Sequence, residues 1–305
     1  MPFVTPKPED VMIRKRRILI SGSTGMRKTT AALTAPKPLH IMSYPGEKGY
    51  DTIPLDNPGI KPYIWEYEPM EVEVNEAGVE ILKNKTSSSK VLQQVRMETN
   101  KILSGVYGPC TTFVGDGLHK LYQYFLDKAA GGLYFTGGEI EGKHYGVAGI
   151  EFMEYINTVC HSNVPVVIFT IWDADEKDRP LKPGEQQSTY KFVDVHKFPD
   201  LPGKLAKRIL GEFSVTCGAV LKSPKPGVPL EAYWQLSPGG DIHGVGVKID
   251  AAIAKQLPQF IPANYDLLAN LLMGAELEAQ ALAPPVSGSG GVQTLAEKLA
   301  AKKGG

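Results

Sequence analysis

The sequence is poor in the features that mark several large classes of protein. Only three cysteines occur in 305 residues, Cys110, Cys160 and Cys217. They are far apart and follow no pairing pattern, which fits buried thiols in a reducing cytosol better than a disulfide or metal framework. The histidines at 40, 119, 144, 161, 196 and 243 form no i, i+4 pair and no cluster with cysteine, so a zinc centre is not expected. Charge of one sign is not in excess: Lys plus Arg and Asp plus Glu both number 33. A uniformly basic nucleic-acid-binding surface is therefore excluded, and any polyanion contact must be local. No apolar run is long enough to span a membrane, and MPFVTPKPEDVMIRKRR at the start has no apolar core of signal-peptide length. The expectation is a soluble, cytoplasmic protein with no membrane contact. A Gly-x-Ser-x-Gly nucleophile elbow is also missing.

What is present is an ordinary globular composition, 42% hydrophobic and 22% charged, with a clear alternation of elements. Residues 1–13 are proline-rich and read as an irregular arm, and the basic run 14–17 reads as a solvated lead-in to the apolar 18–20. A glycine loop follows, then a helix over 28–34 stopped by Pro36. Strands are expected at 38–44, and strands or a hairpin within 61–83. Helices are expected at 86–105, 118–132 and 149–163, with strands at 110–117 and at the β-branched 164–172. A helix at 201–211, strands at 213–221, 231–237 and 244–249, and a helix at 264–274 complete a domain spanning 14–274. Residues 275–305, rich in Ala, Pro, Gly and Ser, read as a flexible tail. Strands alternating with helices predict an α/β fold: a mostly parallel central sheet flanked by helices, with a late antiparallel extension.

The stretch SGSTGMRKTT, residues 21–30, carries the chemistry. Gly22, Lys28 and Thr29 fit Gly-x-x-x-x-Gly-Lys-Ser/Thr, and Arg27 stands where the second glycine belongs. Set between a strand and a helix, Gly22, Ser23, Thr24, Gly25, Met26, Arg27, Lys28, Thr29 and Thr30 would present backbone N–H groups to phosphate. Lys28 would reach the outer phosphates of ATP, and Thr29 would hold Mg2+. A helix start has right-handed dihedrals, so Arg27 is expected there with its side chain turned outward, leaving a weakened site that glycine would improve. The second metal-holding residue is Asp116, ending the strand TTFVGDG between two unusual glycines, Gly115 and Gly117. Glu47, in PGEKG just after the next strand, is the candidate general base, because open α/β sheets bind ligands at the carboxyl ends of their strands.

In this order the motifs resemble the core of RecA-type ATPases. More closely, they resemble the phage-encoded RecA-like ATP-binding proteins found near single-strand annealing and recombination genes, over roughly residues 16–250. The resemblance implies a RecA-like P-loop NTPase fold, ATP and Mg2+ as ligands, and Glu47 as the catalytic base. It further implies that Thr170, Trp172 or Asp173 senses the terminal phosphate and that the loop Asp173–Tyr190 touches single-stranded DNA. Lys248 would reach a neighbouring subunit's nucleotide. It also implies a homo-oligomer in the host cytoplasm, working with a phage annealing or single-strand-binding protein. The mixed charges of the 173–190 loop supply no electropositive funnel of their own. Two other readings stay open: a nucleotide-binding structural module that no longer hydrolyses, with Arg27 as its mark, and a nucleotide or small-molecule kinase. No arginine-rich lid supports the kinase. Lys28, Thr29, Glu47 and Asp116 together favour hydrolysis.

Overall fold

The computed structural model describes residues 15–47, 49–54, 56–65, 71–74, 80–83, 87–173, 199–223, 229–236, 246–247 and 257–282. Six strands pair in parallel: β1 (Arg16–Ser21), β2 (Leu39–Ser43), β3 (Ile60–Ile64), β6 (Thr112–Asp116), β7 (Val166–Ile171) and β8 (Val215–Lys222). Three short strands, β9 (Glu231–Gln235), β10 (Gly246–Val247) and β11 (Phe260–Pro262), add antiparallel pairings beyond β8. The order across the sheet is β11-β9-β8-β1-β7-β6-β2-β3, with β10 also on β8. The mostly parallel α/β sheet with a late antiparallel extension is therefore the fold observed. Of the strands or hairpin expected within 61–83, β3 joins the main sheet, and β4 (Glu71–Val74) and β5 (Glu80–Lys83) pair antiparallel as a separate two-stranded sheet.

The central strands are apolar throughout because both faces are covered, as parallel sheets require. Alternate residues go to opposite faces. Leu19, Phe113, Val167 and Phe169 pack with α2 (Ser88–Leu103), α3 (Leu118–Ala129), α4 (Gly142–Cys160) and α5 (Gly203–Ile209). Ile18, Ile20, Val114 and Ile168 pack on the other side with α1 (Lys28–Ala32) and α6 (Tyr265–Leu282).

Outside the site, the structure departs from the sequence reading in four places. Arg17 is not solvated: it is 6% exposed, and its guanidinium donates to the carbonyls of Cys160, Ser162 and Pro165. Those carbonyls lie at and beyond the end of α4, where a helix leaves acceptors unsatisfied. α4 begins at Gly142, ahead of the expected 149. A reciprocal cap between Glu141 and His144 starts it, which outweighs the glycines that obscured the helical pattern. α6 runs past 274 to Leu282, and β11 was not foreseen from its three-residue length. Lys248, the 174–190 part of the expected DNA loop and the arm 1–13 lie outside the described residues.

Candidate functional site

The loop after β1 is built by close approach. A Cβ on Gly22 would lie 3.0 Å from the Ala219 carbonyl oxygen and 3.1 Å from the Ala219 Cβ, so only glycine lets the chain leave the sheet against β8. Gly25 turns it at φ +81°. Arg27 then enters α1 at φ 55°, ψ 33°, and is the one non-glycine residue with positive φ among the described residues. This corrects the right-handed start expected from the sequence. The position before Lys28 is left-handed, which is why the motif places glycine there. Arg27 is exposed and is among the residues that line the cleft described below.

Lys28 is 8% exposed. Its ammonium donates to the carbonyls of Gly22 at 2.8 Å and Ser23 at 3.0 Å, spanning the loop from inside. Burial lowers its pKa, against the pull of Asp116, Glu47 and Asp173.

The acidic half of the site comes from neighbouring strand ends. Asp116 pairs in register with Ser43, and Thr170 of β7 pairs with Ile20 of β1, so these ends lie side by side. Only β7 separates β1 from β6. Thr29 therefore reaches across, its hydroxyl 2.9 and 3.1 Å from the two carboxylate oxygens of Asp116. Thr170 donates to the same carboxylate at 2.5 Å and accepts the Gly117 N–H at 2.9 Å. Asp116 is 1% exposed; burial raises its pKa to about 6, with Glu47 adding to the rise and Thr170, Thr29 and Lys28 opposing it. The flanking glycines now have causes. A Cβ on Gly115 would lie 2.6 Å from the Tyr44 hydroxyl, and one on Gly117, at φ +90°, would lie 2.7 Å from Glu47 Oε2.

These groups line one cleft of about 540 Å3. Thr24, Gly25, Arg27, Lys28, Thr29 and Thr30 line it from the loop and α1, and Glu47, Asp116, Thr170 and Trp172 from the ends of β2, β6 and β7 and the turns after them. Gly22 and Ser23 lie beneath as acceptors for Lys28, and Met26 packs on the core. Asp173 is not on the cleft wall: it is buried, bridges to Pro199, and donates its N–H to the Gly22 carbonyl at 3.4 Å. Sequence reasoning missed His119, Lys120 and Thr52. Thr52 and Lys120 line the cleft, and the Lys120 ammonium sits 5.0 Å from the centre of the Trp172 ring. The adjacency of His119 and Lys120 to Asp116 was the only available signal.

The donor set at the Thr29–Asp116 junction is a hydroxyl and a carboxylate, hard oxygens that suit Mg2+ better than a soft metal. Among the described residues no three His, Cys, Asp or Glu side chains cluster to hold a metal by themselves. A cation here would complete its shell with oxygens of a bound phosphate, as Mg2+ commonly does. Also among the described residues, no helix is long and apolar enough to cross a membrane.

A family model described as an AAA domain matches residues 14–233, most of the chain. The chain aligns with the solved flagellar accessory protein FlaH from Methanocaldococcus jannaschii at 10% identity and a TM-score of 0.33, covering 81% of this chain and 98% of that one. A search of curated proteins returns no match.

Proposed function

The chain belongs to the AAA-domain family of P-loop NTPases, and on that footing we propose that it is a Mg2+-dependent ATPase of RecA type serving phage DNA recombination or replication. The observation that carries hydrolysis is the convergence of Lys28, Glu47 and the Thr29–Asp116–Thr170 junction on one cleft. The N–H groups of residues 22–30 and the Lys28 ammonium hold the phosphates, and Thr29 and Asp116 hold Mg2+. Mg2+, when bound, neutralises charge on the outer phosphate oxygens. Glu47 orients water at the open side of the cleft and takes its proton on the carboxylate. Thr170, fixed to Asp116 and to the Gly117 N–H, ties the end of β7 to the metal-holding carboxylate, and Trp172 and Asp173 are the next candidates to sense the terminal phosphate.

The nucleic-acid side rests on the family resemblance: single-stranded DNA at the 173–190 loop, Lys248 acting across a homo-oligomer, an annealing or single-strand-binding partner, and work in the host cytoplasm. The division into an arm (1–13), an NTPase domain (14–274) and a tail (275–305) belongs to the same reading. One observation favours the rival view, a nucleotide-binding module without hydrolysis: the left-handed Arg27 in the loop. ATP turnover measured with and without single-stranded DNA separates them. Turnover stimulated by DNA supports the proposal; binding without turnover under either condition supports the rival.

A further inference from the structure

The segment GDGLHK, residues 115–120, holds more than the aspartate the mechanism uses. Gly117 leaves its α-carbon bare where Glu47 lies: an added Cβ would sit 2.7 Å from Oε2 and 2.9 Å from the Cβ of Glu47. Two residues later, His119 brings Nε2 to 3.9 Å from the same Oε2. The imidazole is 3% exposed, and neither ring nitrogen has a hydrogen-bond partner among the described residues. Its ring lies flat on Trp172, centroids 4.1 Å apart and planes 24° apart. Leaving a buried ring N–H unpaired is costly, and a phenylalanine could fill this space without that penalty. The polar ring is instead held flat against Trp172, about 1 Å short of hydrogen-bond contact with the Glu47 carboxylate.

We infer that His119 is a positioning residue for Glu47: its Nε2–H engages Oε2 when the carboxylate moves to work, leaving the other oxygen to face water. This rests on Glu47 being the general base. Gly117 provides the space, Trp172 fixes the plane of the ring, and His119 supplies the single proton. Burial, reinforced by Lys120 and Lys28, keeps the imidazole neutral with its pKa near 3, so it orients the base without competing for the proton.

The test uses the full chain. His119→Phe keeps the flat ring on Trp172 and removes the N–H. It should lower kcat about 10- to 100-fold, as misplacing a reacting group by an ångström does, while ATP affinity by calorimetry stays within about twofold. His119→Gln, which can still present an N–H, should recover several-fold of that loss. In a Glu47→Gln background His119→Phe should change turnover less than about twofold, because the two act as one unit. Equal losses in the Phe and Gln variants, or full additivity with Glu47→Gln, overturn the inference. A second readout needs no turnover. In the nucleotide-free protein, Glu47→Ala should move the 15N resonance of His119 Nε2, and an unmoved resonance overturns the contact. If the parent chain shows no ATP turnover but the resonance moves, the hydrolysis reading fails and the contact stands.

Discussion

Restoring glycine at position 27 separates backbone strain from side-chain function. Arg27 sits at φ 55°, ψ 33°, a conformation that costs an L-residue about 1–2 kcal/mol and glycine almost nothing. Glycine also loosens the unfolded chain, which offsets about 0.4–1 kcal/mol. The net gain for Arg27→Gly is about 0.5–1 kcal/mol, or about 1–4 °C in Tm for a domain of this size. Arg27→Ala keeps the Cβ and hence the strain, so its Tm should stay within about 1 °C of the parent. Affinity should move the other way. Arg27 is exposed and among the residues that line the cleft, and removing one solvent-screened cation from beside a polyanion site is worth about 0.2–1 kcal/mol, at most about a fivefold rise in Kd. Thermal unfolding without nucleotide, paired with ATP titration calorimetry, reads both. The reasoning is refuted if Arg27→Gly lowers Tm, or if Arg27→Ala raises it as much as Gly. A Kd rise far above fivefold would give Arg27 a direct bond to phosphate.

Lys28→Ala should weaken ATP binding about 10- to 100-fold, the worth of a charge-assisted hydrogen bond; unchanged binding by calorimetry would remove Lys28 from the phosphate site. Glu47→Gln should spare binding and slow hydrolysis about 10²- to 10⁴-fold, and equal turnover would pass the base role to another residue. Asp116→Ala should remove the Mg2+ dependence of ATP affinity, read by titrations with and without EDTA. Burial, then Lys120 and Lys28, take His119 from 6.5 to about 3 on folding. The unfolded chain therefore binds the extra proton between those values, and stability that is full above pH 6.5 declines toward pH 3, by at most about 1.4 kcal/mol per pH unit. His119→Phe should flatten that limb of the urea midpoint against pH, and an unchanged slope would take histidine out of the account.

Local patterns in the chain carried the parallel sheet and half of the site. A strand, a glycine loop and Lys28-Thr29 in succession impose their own hydrogen-bonding and dihedral demands, so the strand–loop–helix unit was legible from residues 18–30. Asp116 was legible because a β-branched strand ending in an acid is also a local signal. The rest depended on which strands became neighbours. β7 inserted between β1 and β6 brings Thr170 onto Asp116 and lets Thr29 reach it, and no spacing along the chain encodes that order. The Gly117 and His119 seat for Glu47 joins the turns after β6 and β2, which are distant in sequence and meet only when β2 pairs with β6. Arg17 looked like part of a solvated basic run, and it is buried because the end of α4 needs donors for its carbonyls. Arg27 looked like an ordinary helix start. Its left-handed backbone is set by the closure of the loop between β1 and α1, since φ at one residue is decided by where both ends of the loop must go.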